Sequence, residues 1–336
     1  MFDKLAFDKQ AILNSSATDF EKIFDDIISL KTDHLSTKNF LLTLNQAELP
    51  QNAFLGAVAA LRKKMRQVST SFATLDVCGT GGDKLNTLNI STAVAFVVAA
   101  CGVKVAKHGN RANSSKSGSS DILSELGIRF NSSAESINHS LEHHNLCFLF
   151  APDFHESLKN VAAIRKEIAQ EYNTPTIFNF LGPLLNPLNA QYQLIGTSKR
   201  EVMSKMLEVT KNNNVKQAFI VHGFDGMDEI TISNNSYLLT YTDNNKISEE
   251  IINPQNYGID KEPLESIVGG DVKYNTKKLI ALLQAEKSAY RNIVILNAAF
   301  ALKAAKKTDN TKDAIQLASE AIDSGSAYNL LEKLRK

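Results

Sequence analysis

Three polar segments of the chain contain residue types that bind phosphate or a metal ion. The first segment, "GTGGDKLNTLNIST", contains Gly79, Gly81 and Gly82, and Asp83 follows them directly. Backbone N–H groups of a glycine-rich turn in front of a helix form a site for phosphate oxygens. The spacing matches neither GxGxxG nor GxxxxGK[ST], which excludes the common dinucleotide-binding and P-loop motifs. The alternative is an ordinary tight turn.

The second segment, "KHGNRANSSKSGSSD", follows an apolar run and places Lys107, His108, Arg111 and Lys116 among hydroxyl and amide side chains. A long loop without structure of its own is usually functional, although a solvated basic turn before a helix is the alternative. Ligands of open α/β sheets bind beyond the carboxyl ends of the strands. We therefore expect both loops to face one crevice that holds a ligand with two separated phosphates.

The third segment, "VHGFDGMDEIT", crowds Asp225, Asp228 and Glu229 at the end of an apolar run. These carboxylates repel one another unless a cation lies between them. The spacing is not that of an EF-hand, and Mg²⁺ shared with a phosphate suits one or two carboxylates better. An acidic hairpin turn is the alternative. With such a ligand, Asp83 either accepts a hydrogen bond from a sugar hydroxyl or shares the magnesium.

The elements that position these segments alternate along the chain. Residues 1 to about 70 have helical periodicity, and from Leu75 onward apolar strand-like runs alternate with helix-like segments. This order predicts an α/β protein, with a small all-helical domain and a larger domain whose mostly parallel central sheet is flanked by helices. Residues 230–245 are predicted to form a hairpin at one sheet edge. Beyond Gly269-Gly270 three helical segments are expected, the first spanning 275–307.

Composition limits the partners of the protein. The 336 residues include 37 basic and 36 acidic side chains, a net charge of +1, so no overall field attracts nucleic acid or a membrane surface. Cys78, Cys101 and Cys147 are far apart and are expected to be reduced core residues. The longest apolar run, 93–103, is too short to span a bilayer, and no signal peptide is recognised at the N-terminus. A cytoplasmic protein is expected.

Ordered motifs along the whole chain resemble the anthranilate phosphoribosyltransferase family. They include "GTGGD", "NIST", "KHGNR", "SSKSGSSDILSELGI", "TIFNFLGPLLNP", "VHGFDGMDE", "LNAAFAL" and "ASEAIDSG". The resemblance implies transfer of the 5-phosphoribosyl group of phosphoribosyl pyrophosphate to the amino group of anthranilate, a step of tryptophan biosynthesis that releases pyrophosphate. It also implies a helical dimerisation domain of residues 1–70 with about 160–190, a donor-binding α/β domain of residues 71–336, and a homodimer.

The resemblance also assigns residues to the two substrates and to two Mg²⁺ ions. The phosphoribosyl donor is assigned to Gly79, Gly82, Asp83, Thr87, Asn89, Ile90, Ser91, Thr92, Lys107, His108, Gly109, Asn110, Arg111, Ala112, Asn113, Ser114, Ser115 and Ser119. Anthranilate is assigned to Gly79, His108, Asn110 and Arg165, and the metal ions to Ser91, Asp228 and Glu229. No covalent catalyst is expected, because an aromatic amine is a competent nucleophile. Lys107, Asn110 and Arg165 are expected to position the substrates.

Two features depart from the family pattern. The segment "AQEYNTP", 169–175, is longer than its counterpart and borders the expected acceptor path, and Leu88 stands where the family often has phenylalanine.

Two other functions are alternatives to the transferase. One is a pyrimidine nucleoside phosphorylase, and "KHGNR" and the Asp228-Glu229 pair argue against it. The other is a non-enzymatic relative that binds nucleic acid, which the near-neutral charge disfavours.

Overall fold

The computed structural model of the protein describes residues 5–111, 117–213 and 215–335. Four α-helices lie in the N-terminal part of the described residues, and local capping sets the starts of the first three. Asp8, Ser16 and Asp33 each accept a hydrogen bond from a backbone N–H of the first turn, whereas Pro50 precedes the fourth helix. The helices are α1 (Lys9–Leu13), α2 (Ala17–Ile28), α3 (His34–Gln46) and α4 (Gln51–Lys64).

In the described ranges the central sheet has seven strands, in the order β3-β2-β1-β4-β5-β6-β7. The strands are β1 (Leu75–Gly79), β2 (Val105–Gly109), β3 (Leu146–Phe150), β4 (Tyr192–Gly196), β5 (Gln217–Gly223), β6 (Ser236–Thr242) and β7 (Ile247–Ile252). The first five are parallel, and β6 and β7 continue the sheet antiparallel. The prediction of a mostly parallel sheet flanked by helices is confirmed.

Ten further α-helices of the described residues pack around the sheet. They are α5 (Ile90–Ala100), α6 (Ser119–Glu125), α7 (Ala134–His144), α8 (Ala151–Phe154), α9 (Ala162–Tyr172), α10 (Met203–Asn212), α11 (Val272–Leu283), α12 (Ala289–Ala304), α13 (Thr311–Asp323) and α14 (Ser326–Leu334). Helices α5 and α12 pack together and are apolar nearly all round, so almost every residue of both is buried.

Two large apolar clusters account for most of the buried core. One joins α5, α12 and one face of the sheet. The other joins the N-terminal helices to the segment around α9, where Phe24 of α2 meets Phe178 with ring centroids 5.7 Å apart. The three cysteines are free, as expected, but only Cys147 is fully buried, and Cys78 and Cys101 are partly exposed. Within the described ranges, no helix has both the length and the apolar character needed to cross a membrane.

Two element predictions were wrong in position. The edge hairpin is formed by β6 and β7 rather than by 230–245, because the polar side chains around Thr231 hydrogen-bond Asp225 instead of entering a strand. The expected helix 275–307 is two helices, since Ser288 caps α12 and Ala285 adopts a left-handed φ of 70° between them. Helix α7 was not anticipated from the sequence.

Candidate active site

The glycine segment leaves the carboxyl end of β1 as an open loop. Gly81 and Gly82 have φ of 65° and 80°, a left-handed conformation that favours glycine. The backbone N–H of Gly81 donates to Asp228 Oδ2 at 2.6 Å, which joins this loop to the third polar segment. The loop ends at α5, and the buried hydroxyl of Thr92 in the first turn of α5 has no hydrogen-bond partner among the described atoms.

Asp228 packs directly against two strand ends. A Cβ added to Gly79 would lie 2.3 Å from Asp228 Oδ2, and one added to Gly196, at the end of β4, would lie 1.6 Å from the Asp228 carbonyl oxygen. At Gly196 only glycine permits this approach, because the contact is with the backbone of Asp228. Gly196 was not among the predicted site residues, and its only signal in the sequence is a glycine that ends an apolar run, "YQLIG".

Lys107 connects β2 to the start of α5. Its side chain is 3% exposed, and Nζ donates to the Val77 carbonyl at 2.7 Å and to Ser91 Oγ at 3.0 Å. The main-chain N–H of Ser91 and the charge of Lys107 both favour the ionised form of Glu229. The structure therefore brings together Lys107, Ser91 and Glu229, which come from three segments of the sequence.

The carboxylates of this crevice form an excess of negative charge. Burial, together with the neighbouring charge of Asp83, raises the pKa of the Asp228 carboxyl. Burial and the charge of Asp228 likewise raise the pKa of Glu229. A divalent cation would offset both effects. Asp225 does not belong to this group, because its Oδ2 accepts the Thr231 hydroxyl at 2.6 Å.

The donor set fits Mg²⁺ bound together with a substrate. Among the described residues, no group of three His, Cys, Asp or Glu side chains could hold a metal ion alone. Asp228, Glu229 and the Ser91 hydroxyl supply oxygen ligands, and Mg²⁺ commonly combines one or two carboxylates with water and phosphate oxygens. Asp83 Oδ1 accepts the Leu85 N–H at 3.1 Å, and the Asp83 carboxyl lies close enough to Asp228 to raise its pKa.

The two ends of the loop after β2 are hydrogen-bonded to each other and form the stem of that loop. The Asn110 carbonyl accepts from Ser119 Oγ at 3.2 Å, and a Cβ on Gly109 would lie 2.4 Å from that hydroxyl. The guanidinium of Arg111 lies 5.8 Å from the ring centroid of Phe150. Ala112, Asn113, Ser114, Ser115 and Lys116 lie outside the described residues. A shallow depression between this stem and β3 is lined in part by Lys107 and Ser120.

His108 faces the opposite side of β2 from Lys107. Its main-chain N–H donates to Asp76 Oδ1 at 3.2 Å, and its Nε2 lies 3.2 Å from Nε2 of His155. Burial lowers the pKa of His108 to about 3 and of His155 to about 4, so both rings are neutral near pH 7. The buried Nδ1 of His155 has no partner among the described atoms. No motif around His155 indicates its role from the sequence.

The buried histidine should make the protein acid-sensitive. His155 stays neutral in the folded protein down to about pH 4, whereas an unfolded histidine gains its proton below about pH 6.5. The stability is therefore present above about pH 6.5 and is lost as the pH falls towards the folded pKa. Between about pH 7.5 and pH 5, wild type should lose about 2 kcal/mol more unfolding free energy than His155→Gln in urea titrations. Equal losses would contradict this assignment.

Arg165 lies on α9 and is half-buried. Its buried Nε has no hydrogen-bond partner among the described atoms, and its guanidinium lies 6.0 Å from the ring centroid of Phe178. Burial lowers the pKa of Arg165, but a guanidinium stays charged at neutral pH. A planar carboxylate is the natural partner for this cation.

The longer segment 169–175 extends α9 and reaches the glycine loop. Helix α9 continues to Tyr172, and Asn173 Oδ1 accepts from Lys84 Nζ at 3.3 Å. Lys38 Nζ binds Glu167 at 2.6 Å, which ties α9 to α3. The extra residues thus lie between α3 and the glycine loop. Leu88, the other departure, is buried and its N–H donates to the Ile267 carbonyl at 2.9 Å.

Asn297 fixes the backbone next to the carboxylate pair. This fully buried residue of α12 accepts the Ile230 N–H at 2.9 Å and donates to the Ile230 carbonyl at 2.8 Å. The residue that follows Glu229 is therefore held on both of its backbone groups. The motif "LNAAFAL" contains Asn297, but a helical pattern gives no indication of a contact 67 residues away.

Comparisons with known proteins identify the family to which the chain is similar. A family model described as "Glycosyl transferase family, a/b domain" matches residues 71–328. The anthranilate phosphoribosyltransferase of Dehalococcoides mccartyi is 40% identical over 333 residues, covering 99% of this chain and 95% of the relative. The crystal structure of anthranilate phosphoribosyltransferase from Thermus thermophilus matches with a TM-score of 0.89 and 31% identity, over 99% of this chain and 98% of that one.

The Saccharomyces cerevisiae enzyme of the same name matches with a TM-score of 0.84 in its complex with PRPP and Mg, at 26% identity, over 95% of this chain and 92% of that one. Another structure of the yeast enzyme, with 4-fluoroanthranilate, has the same TM-score at 25% identity and the same coverage. These names support a transferase and lend no support to a nucleoside phosphorylase or a nucleic-acid-binding relative.

Proposed function

The chain belongs to the anthranilate phosphoribosyltransferase family, and on that premise we propose how its own residues carry out the transfer. The enzyme transfers the 5-phosphoribosyl group of phosphoribosyl pyrophosphate to the amino group of anthranilate and releases pyrophosphate. The observation that carries the proposed site is the meeting of the three polar segments, in which the Gly81 N–H donates to Asp228 and Lys107 Nζ donates to Ser91 beside Glu229.

The donor is proposed to lie across the glycine loop and the loop after β2. Backbone N–H groups of the glycine turn and the start of α5 would face the negative charge that develops on the departing pyrophosphate. Mg²⁺, which the name of the yeast complex also includes, would be held by Ser91, Asp228 and Glu229 and would stabilise the leaving group's charge. Two ions are proposed, because two carboxylates with raised pKa values lie beside a third, Asp83.

The acceptor is proposed to bind between β2 and α9. Arg165 would pair with the anthranilate carboxylate, because its buried Nε lacks a partner and carboxylates bind guanidinium in a bidentate manner. Neutral His108 and His155 would border the aromatic ring, and Asn110 would stand at the loop stem between the substrates. The amine needs only to be aligned with the anomeric carbon, so positioning rather than general-base catalysis is the chief contribution.

The proposal is tested by the fluorescence of free anthranilate. The protein should consume anthranilate only when phosphoribosyl pyrophosphate and Mg²⁺ are both present, and chelation by EDTA should stop the loss. Thymidine with phosphate should give no thymine. Consumption of anthranilate without the donor, or none with every component present, would refute the proposed reaction.

A homodimer formed by the N-terminal helical domain, residues 1–70 with about 160–190, is also proposed. Large apolar side chains of this domain are exposed to solvent, with Leu30 66% and Leu35 65% exposed. A second copy of the chain is the proposed occupant, because exposed apolar surface of this kind marks an interaction site. We place the enzyme in the cytoplasm, where its free thiols would remain reduced.

Sedimentation velocity distinguishes the proposed dimer from a monomer. Wild type should sediment as a dimer at micromolar concentration, and Leu30→Glu/Leu35→Glu should sediment as a monomer, because burying two carboxylates is costly. The matched control is Ile247→Glu/Ile251→Glu on β7, whose side chains are 48% and 55% exposed and which should remain dimeric. A monomeric wild type would argue against this interface, and so would a Leu30→Glu/Leu35→Glu variant that remains dimeric.

A further inference from the structure

Asn275, in the first turns of α11, joins the two polar loops of the site. The side chain is 3% exposed, and its Nδ2 donates to Ser117 Oγ at 2.7 Å and to Asn89 Oδ1 at 3.0 Å. Its Oδ1 accepts the Gly270 N–H at 2.7 Å. Asn89 ends the glycine loop, whereas Ser117 belongs to the loop after β2. One amide side chain therefore connects both loops to the C-terminal part of the chain.

Asn275, Asn89 and Ser117 are all hydrogen-bonded to one another. Ser117 Oγ also lies 3.3 Å from Asn89 Oδ1, and Asn89 Nδ2 donates to the Ser117 carbonyl at 3.3 Å. The hydroxyl of Tyr290 donates to the Asn89 carbonyl at 3.0 Å. A buried network with its polar groups paired is rigid, and loss of one partner leaves the others unsatisfied.

The segment before α11 forms a wall along the glycine loop. Gly269 N–H donates to the Asn86 carbonyl at 2.7 Å, and Thr87 makes an antiparallel bridge with Val268. A Cβ on Gly269 would lie 2.8 Å from the Thr87 carbonyl oxygen, so the wall approaches as closely as a glycine allows. Asn275 thus extends a continuous backbone contact on the glycine loop towards the second loop.

We propose that Asn275 is a positioning residue for the phosphoribosyl donor, a role that rests on the proposed function. The donor carries phosphate groups at both ends of a ribose, so the two loops must keep a fixed separation to bind both ends. Asn275 sets that separation from behind the loops without touching the substrate. An asparagine suits this role because its amide donates to both loops while its carbonyl accepts from Gly270.

Asn275→Asp tests the proposal, because it keeps the shape of the side chain and removes the two donors. Calorimetric titration with phosphoribosyl pyrophosphate and Mg²⁺, without acceptor, should give a Kd at least about tenfold above wild type, equivalent to about 1.4 kcal/mol. The KM for anthranilate at saturating donor should stay within about twofold. An unchanged donor Kd, or equal weakening of both substrates, would overturn the proposal.

The matched control is Asn131→Asp. Asn131 also bridges two segments, since its Nδ2 donates to the Ser136 carbonyl at 3.2 Å and its Oδ1 accepts the Phe148 N–H at 3.2 Å. Asn131→Asp should leave the donor Kd unchanged. An increase in the donor Kd equal to that of Asn275→Asp would overturn the proposal.

A double-mutant cycle covers the case in which Asn275→Asp unfolds. Ser117→Ala alone should weaken donor binding, and its effect should be non-additive with Asn275→Ala, because both changes break one network. Full additivity, or wild-type donor binding by Ser117→Ala, would overturn the role of Asn275. Wild type that binds the donor but never consumes anthranilate would refute the proposed reaction while leaving this positioning role intact.

Discussion

Asp228→Asn/Glu229→Gln is expected to lose roughly 10³-fold in kcat/KM while remaining folded, because it removes the carboxylates proposed to hold the magnesium ions. The side chains keep their shape, so Gly79 and Gly196 still accommodate residue 228. Without metal the variant should unfold at a higher temperature than wild type near pH 8. The reason is that burial raises both carboxyl pKa values, so the ionised pair destabilises the folded state there.

The matched control removes two carboxylates elsewhere. Asp243→Asn/Glu249→Gln makes the same change in net charge on the β6–β7 hairpin, where the exposed side chains pair with Lys306 and Arg200. Surface pairs of this kind contribute about 0–1 kcal/mol, so activity should stay near that of wild type. Steady-state assays over a range of Mg²⁺ concentrations, with thermal unfolding in EDTA, provide both measurements. A fully active Asp228 and Glu229 variant would rule out these metal ligands.

Gly196→Ala should reduce kcat/KM by roughly 10²-fold, because displacement of a reacting group by about 1 Å can have an effect of this size. The new Cβ would lie 1.6 Å from the Asp228 carbonyl oxygen, so the main chain of residue 228 has to move. Gly79→Ala meets the end of the Asp228 side chain instead, at 2.3 Å from Oδ2. A side chain can rotate, so Gly79→Ala should alter the protein's stability less.

Activity, circular dichroism and Mg²⁺ dependence together separate displacement from unfolding. Gly196→Ala should keep its circular dichroism spectrum and require more Mg²⁺ for half-maximal rate. Wild-type turnover with wild-type Mg²⁺ dependence would show that the approach of Asp228 to β4 is not needed for catalysis.

Some site residues could be predicted from the sequence because the residues next to them form a recognisable local pattern. Glycines such as Gly81 and Gly82 indicate a loop with left-handed backbone conformations. Lys107 follows an apolar run and lies within β2, and Asp228 lies beyond the end of β5. Parallel strand ends share one edge of the sheet, so the meeting of these loops followed from the alternation of elements. The fold class was predictable for the same reason.

The supporting residues could not be found in this way. Asn275 and Asn297 contact loops that lie 186 and 67 residues away in the chain, and nothing in the local pattern of α11 or α12 indicates such contacts. The break before α12 was hidden because Gln284, Ala285 and Glu286 are good helix formers. Their preference is overridden by the Ser288 cap, whose side chain accepts the Arg291 N–H.

Anomalous diffraction from crystals grown with Mn²⁺ and phosphoribosyl pyrophosphate tests the central claim most directly, since Mn²⁺ shares the preference of Mg²⁺ for carboxylate and phosphate oxygens. Two manganese peaks should lie among Ser91, Asp228 and Glu229, with the diphosphate against the glycine loop and Lys107 beside it. Manganese bound away from Asp228 and Glu229, or a donor at another edge of the sheet, would contradict the account.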